Sequence, residues 1–325
     1  MPLPLSTDQV LSLAPVLLEN RRASRYRADE QAIASSDLGA VDFATVTALY
    51  AMLGELEEGG ADPSADPAAL LAVAARHHLD GLLQRVRRLG AERSSPRVAS
   101  AVHDLRGGAL TTLFVHLGRL RRMPERADTR RSLFLGARDH RKMMRNVVLD
   151  LDATARARDL AFLPHSLVEL ARALRAFAGV VREEPIVVDV ESATDAVIAE
   201  SCVEFGAIDR VAYNLLNNAV RHAAQPNITT WLVRFAKDLR VVVANAVEPE
   251  HRALLTDRLA SDESSLFGDF TTTGSGYGLR IVGELVAHAY GVPSVQKLTT
   301  GRYVGARTVD DSFVAWFHWP LSDAA

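Results

Sequence analysis

Apolar positions along this chain follow two rhythms, and the change falls near Leu163. Ahead of it they recur at steps of three and four, the spacing of one helix face. Val98, Val102, Leu105, Ala109, Leu113, Leu117 and Leu120 predict one helix over 98–122. Ser94 and Ser95 are its candidate caps, Pro96 suits the first turn, and Met123-Pro124 marks the end. Leu133, Ala137, His140, Met144, Val147 and Leu151 alternate steps of four and three, a heptad seam that predicts a second arm. Two antiparallel helices with such seams cannot bury both by themselves, so two copies pairing into a four-helix bundle is the expected solution. His140 lies inside its seam and reads as a packed core residue. Upstream, Ser6-Thr7-Asp8-Gln9 resembles a capped helix start before Val10, Leu11, Leu13 and Val16. Further helices are expected over 42–56 and 67–89, separated by a Gly-, Pro- and Asp-rich loop.

Beyond Leu163 the rhythm is mixed. A helix over 165–179 leads to a strand over 185–190, and a helix from about 207, preceded by Gly206, leads to strands at 228–235 and 239–245 joined by a short turn. A helix over about 279–290 stops at Gly291, and strands near 294–298, 303–308 and 313–319 close the segment. That order predicts an α/β sandwich, one sheet covered by helices on one face. The fold class is therefore multidomain α and α/β. The expected division is 1–90, a helical input or docking region; 91–160, the hairpin; and 161–325, the sandwich.

Composition removes alternatives. A length of 325 residues fits two or three domains, and 48% hydrophobic with 24% charged residues is ordinary for a globular chain. A net charge of −3 gives no global reason to expect nucleic acid or an anionic membrane as partner. The single cysteine, Cys202, excludes an intramolecular disulfide and a cysteine-based zinc cluster. No apolar run is long enough to span a bilayer and no signal pattern opens the chain, so a cytoplasmic protein without membrane insertion is expected.

Two polar segments interrupt the apolar pattern of the C-terminal part. Gly274, Gly276, Gly278 and Leu279 form a glycine-rich turn that opens a helix, where exposed N–H groups and the positive helix end can hold phosphate. About fifty residues earlier, Asn214, Asn218, Arg221 and His222 fall on one helix face at i, i+4, i+7 and i+8. Alone, the first reads as an ordinary turn and the second as a solvated helix face. In this order and at this distance they suggest a nucleotide site.

The pair resembles the Asn box and second glycine box of sensor histidine kinases, whose ATP-binding domain shares its fold with gyrase and MutL. The resemblance covers roughly residues 165–321. It implies that Asn218 holds Mg²⁺, that Asn214 faces the nucleotide one helical turn earlier, and that Arg221 and His222 reach the phosphates. Upstream, His103-Asp104-Leu105-Arg106 resembles the family's phosphoacceptor box, in which the histidine takes the phosphoryl group and the next acidic residue helps activate it. A neutral imidazole is a competent nucleophile, and a neighbouring carboxylate can fix its tautomer and draw off its proton. Where the family often bends this helix with proline, Gly107-Gly108 can loosen it instead.

The departures count too. Asn245 stands where the family has the aspartate that accepts the adenine amino group, and its amide oxygen is a weaker acceptor than a carboxylate. Val247 and Pro249 replace two glycines, so the loop over the base must be built differently. Phe267 and Phe270 lie where the family has an aromatic box, and Thr271 to Thr273 read as a lid. Three functions remain. The first is an ATP- and Mg²⁺-dependent protein-histidine kinase, a homodimer that phosphorylates His103 and hands the phosphoryl group to an aspartate of a response regulator. The second is a kinase-shaped phosphotransferase that does not use ATP. The third is a non-catalytic docking scaffold.

Overall fold

The seam on the predicted second arm organises residues 28–160. In the computed structural model, which describes residues 7–13, 18, 32–62, 66–90, 95–107, 109–124, 127–177, 179–192, 196–267 and 277–321, the chain divides into two units. One joins Met1–Arg27 to Ala161–Ala325, and the other is Ala28–Leu160. Helix α1 (Thr7–Ser12) belongs to the first.

The Ala28–Leu160 unit is helical: α2 (Ala40–Gly60), α3 (Pro67–Arg76), α4 (Leu79–Arg88), α5 (Pro96–Arg106), α6 (Ala109–Arg122), α7 (Ala127–Val147) and α8 (Ala153–Leu160). The seam of α7 is buried as expected, but α2 runs along it together with α5 and α6. Leu133, Ala137, His140, Met144 and Val147 are thereby covered within one chain. A second copy is not what buries them, which corrects the premise of the bundle expectation: the hairpin is not alone. Arg145 grips Asp159 through a bidentate pair at 2.6 and 2.9 Å and pins α8 to α7.

Two expected helices are broken. The 98–122 helix ends at Arg106, because Gly107 takes an extended conformation (φ −97°, ψ −161°) and its N–H turns back to the His103 and Asp104 carbonyls. The 67–89 helix breaks at His77-His78, where His78 adopts φ 47°. His77 pairs with Glu55 at 2.7 Å.

In the C-terminal unit the sandwich stands. Its five strands are β1 (Val187–Ser192), β2 (Asn227–Arg234), β3 (Asp238–Ala246), β4 (Val304–Val309) and β5 (Ser312–Pro320), in the order β1-β2-β3-β5-β4. Only the β1–β2 pairing is parallel. The helices are α9 (Leu167–Arg175), α10 (Cys202–His222), α11 (Pro249–Asp262), α12 (Tyr277–Tyr290) and α13 (Val295–Thr300). Three boundaries differ from expectation. Helix α10 is capped by Ser201, whose hydroxyl accepts from the Glu204 N–H while the Glu204 carboxylate accepts from the Glu200 N–H, so Gly206 lies inside it. The expected strand at 294–298 is helical, since Ser294 caps it by accepting from the Lys297 N–H. Helix α11 was not expected; Pro249 opens it at a position where a missing N–H costs nothing.

Period-two alternation gives the sheet two dry faces. Along β3, Leu239, Val241, Val243 and Asn245 point to the face that α10 and α12 cover, while Arg240, Val242 and Ala244 point to the other. That outer face is closed by α1 and the residue that follows it: Val10 and Leu13 pack on Trp231, Val242, Ala244, Val314 and Trp316. Within residues 1–90, then, the described residues 7–13 pack on the sheet of the sandwich.

Candidate functional site

Helix α10 presents its asparagines toward the start of α12. Asn214 is buried and donates from Nδ2 to the Arg210 carbonyl at 2.8 Å, which fixes its amide along the helix axis. Asn218, one turn on, is half-buried. A side-chain carbon placed on Gly278 would lie 3.3 Å from Asn214 Oδ1 and 3.3 and 3.4 Å from the Asn218 amide atoms. The two boxes thus meet in space, and glycine keeps a space beside both amides that any other residue would fill. Leu279 follows in the first turn of α12 and is half-buried. Gly274 and Gly276, with Phe270 and Thr271 to Thr273, lie outside the described residues.

The far end of α10 reaches the end of β3. The Ala224 N–H donates to the Ala246 carbonyl at 2.8 Å, which draws His222 and Asn245 to the same edge of the sandwich. Asn245 is 1% exposed and donates from Nδ2 to the Ala246 carbonyl at 3.1 Å. Past it, the Val247 N–H bonds to the Asp311 carbonyl at 2.9 Å and α11 begins, so the segment replacing the family's glycines is a helix start. Phe267 is fully buried, its backbone against Gly283 of α12.

That helix start supplies a residue the sequence reading missed. His251, in the first turn of α11, stacks on His222 with ring centroids 4.5 Å apart and planes 5° from parallel. Burial, reinforced by His251 and Arg221, pushes His222 down to about 4, and burial lowers His251 as well. His222 is therefore neutral near pH 7, a hydrogen-bonding ring rather than a positive charge. Arg221 is exposed.

His103 and Asp104 lie in the other unit, in the last turn of α5. The helix begins as expected, with Ser95 accepting from the Val98 N–H at 3.3 Å and Pro96 in the first turn. Val102 and Leu105 anchor it in the core; Asp104 is buried and His103 half-buried. Arg106 is tied by Nε to the Val86 carbonyl at 3.2 Å, and burial lowers its guanidinium. His140 is 1% exposed, and burial pushes it to about 4 against a smaller opposing contribution from the Leu105 backbone. It is a neutral core residue, as its seam position implied.

A five-stranded mixed sheet whose one face is covered by α10 and α12, with the asparagines of α10 meeting Gly278 of α12, is the layout of an ATPase of the gyrase and kinase kind. The family described as "Histidine kinase-, DNA gyrase B-, and HSP90-like ATPase" matches residues 206–322. That match supports placing residues 206–322 in this superfamily. Among solved structures, the nucleotide-free catalytic domain of histidine kinase ThkA shows 19% identity, with 50% of this chain and 97% of that one covered at a TM-score of 0.33. Full-length ShkA in complex with AMPPNP shows 19% identity over 80% of this chain and 46% of that one, at 0.34. The Acinetobacter baumannii histidine kinase AdeS shows 15% over 68% and 98%, at 0.30. No curated protein matches. At these TM-scores the matched family and the sheet itself carry the placement. No helix among the described residues is long and apolar enough to cross a membrane.

Proposed function

We propose that the chain is a cytoplasmic ATP-dependent protein-histidine kinase, active as a homodimer, with residues 91–160 as its phosphotransfer region. The observation that carries this reading is the meeting of Gly278 with Asn214 and Asn218, because an open space beside two amides is what a metal-bound phosphate chain requires. Asn218 would hold Mg²⁺ through its amide oxygen, and the ion would neutralise charge on the transferred phosphoryl group. Asn214, one helical turn earlier, would face the nucleotide, and the α12 N-terminus would receive the phosphates. Asn245 would accept from the adenine amino group, and the His222–His251 stack lines the same edge. At the other unit, a ring nitrogen of His103 attacks the γ-phosphorus. A P–N bond forms, the P–O bond to the β-phosphate breaks, ADP leaves, and the imidazole proton passes to Asp104. The phosphoryl group then goes to an aspartate of a response regulator.

A second reading is a kinase-shaped phosphotransferase that does not use ATP. The observation behind it is α11, whose start fills the place of the glycine loop over the base. Titration calorimetry with ATP and Mg²⁺ separates the two. Micromolar binding, weakened at least tenfold in Asn218→Ala, and acid-labile phosphate that disappears in His103→Gln are the expected results. Absence of binding by a folded protein would discard the kinase in favour of the phosphotransferase.

A further inference from the structure

The outer face of the sheet holds α1 by more than apolar contact. Val10 and Leu13 are buried on it, while Asp8, Gln9, Leu11 and Ser12 stay exposed. The carbonyl end of the helix is held separately. Arg240 Nη1 donates to the Val10 and Leu11 carbonyls, each at 2.9 Å, and Arg307 Nη2 donates to the Leu13 carbonyl at 2.6 Å. The Val10 carbonyl also accepts from the Leu13 N–H at 3.5 Å, a long bond, so the arginines give this helix end its shorter, charge-assisted donors, and a cation there also meets the negative end of the helix dipole.

Both arginines are built into the sheet. Arg240 has no exposed surface, donates from Nε to His318 Nε2 at 2.7 Å, and lies 4.8 Å from the Phe235 ring. Arg307 lies 5.5 Å from the ring of Trp316. Burial and the Arg240 charge push His318 down to about 3, so its ring is neutral and Nε2 can accept. Gly305, paired with Trp316 across β4 and β5, leaves room for the indole: a side-chain carbon there would sit 2.2 Å from it.

A six-residue helix has no stability of its own in water. One whose apolar face and carbonyl end are both received by a preformed surface behaves as a docked peptide. We propose that the outer sheet face is a helix-docking groove, occupied by the chain's own residues 7–13, with Arg240 and Arg307 as the anchors that read the helix carbonyls. Because Ala28–Leu160 lies in the sequence between α1 and Ala161, the docked strap attaches that unit to the C-terminal unit at both of its ends. Releasing α1 leaves one attachment and uncovers an apolar strip centred on Trp231 and Trp316. The strap stands whether or not the opposite face binds nucleotide.

Hydrogen exchange on the intact wild-type chain tests it directly, since the Leu11 to Leu13 amides exchange at random-coil rates unless α1 is docked. Protection on the order of a hundredfold is expected; random-coil exchange at those amides overturns the proposal. In the full chain, Val10→Asp combined with Leu13→Asp should erase that protection and raise acrylamide quenching of tryptophan fluorescence at least twofold. A synthetic peptide of residues 1–18 added to this variant should restore wild-type quenching. Unchanged quenching in the variant, or no rescue by the peptide while circular dichroism stays native, rejects the groove.

Discussion

The two faces of strand β3 are built from the same alternation and serve different ends. The face toward α10 and α12 carries Asn245 at its edge, beside a helix end whose histidine is half-buried and uncharged, and α10 itself meets a glycine that preserves open space beside Asn214 and Asn218. The face toward α1 is filled: Trp231, Val242 and Trp316 stand opposite one another across β2, β3 and β5, and Arg240 is spent on carbonyls. One face keeps polar groups available and the other uses them as fasteners. The difference predicts that substitutions on the outer face act on stability, and those on the helix face act on ligand.

The sharpest way to break this contrast is Trp316→Ala. Removing a fully buried indole from the outer face should destabilise the C-terminal unit by roughly 3–5 kcal/mol. In thermal unfolding followed by far-ultraviolet circular dichroism, the transition of this unit should fall well below that of wild type. Nucleotide affinity measured below that transition should stay within about twofold, as expected of a site on the opposite face. A large affinity loss in the folded variant would mean the two faces are not independent.

How much of this contrast the sequence disclosed depends on the range of the interaction. The sandwich, the Asn-bearing helix and the β2–β3 hairpin were legible because each is written in local periodicity and turn chemistry. Helix α12 was legible because an apolar run after the glycines ends at Gly291, a local helix stop. Short-range sterics hid the break at Gly107, where a side-chain carbon would lie 3.0 Å from the His103 carbonyl oxygen, and the left-handed turn at His78. Helix α13 was misread because Val295 and Leu298 carry too little pattern to separate strand from helix; the Ser294 cap was the available signal. The docking of α1 was out of reach: its anchor joins residues 230 apart, and a lone arginine in a strand announces no partner. His251 was missed for the same reason, because its partner sits on another element.

Acid titration sharpens the comparison further. His318 on the outer face has a folded value of about 3 against an ordinary 6.5, so between these the unfolded chain binds a proton that the folded chain refuses. Its contribution is therefore fully present above pH 6.5 and is lost as pH falls toward 3. His140 and His222, each near 4, add slopes of the same sign. All three tryptophans lie in the C-terminal unit, so fluorescence-detected unfolding reads that unit. His318→Gln, which keeps an acceptor for Arg240, should flatten its acid slope without removing it, because His222 remains. Identical slopes for the variant and wild type would show that Arg240 and burial do not hold His318 neutral.

The smallest expected effect tests the nucleotide face at its weakest point. Asn245→Asp places a carboxylate where an amide oxygen would receive the adenine amino group, and a charged acceptor roughly doubles the strength of such a bond. The substitution also removes the Nδ2 donor to the Ala246 carbonyl, at a cost near 1 kcal/mol in stability. Because Asn245 is almost completely buried, a carboxyl there would titrate above its ordinary range, and the charged form would dominate only toward higher pH. ATP affinity should therefore rise by roughly fivefold at pH 8 and by less at pH 6, a difference of about 1 kcal/mol at most. An affinity that does not change at either pH would place Asn245 out of reach of the base. The start of α11, rather than the end of β3, would then decide whether the domain accepts adenine at all.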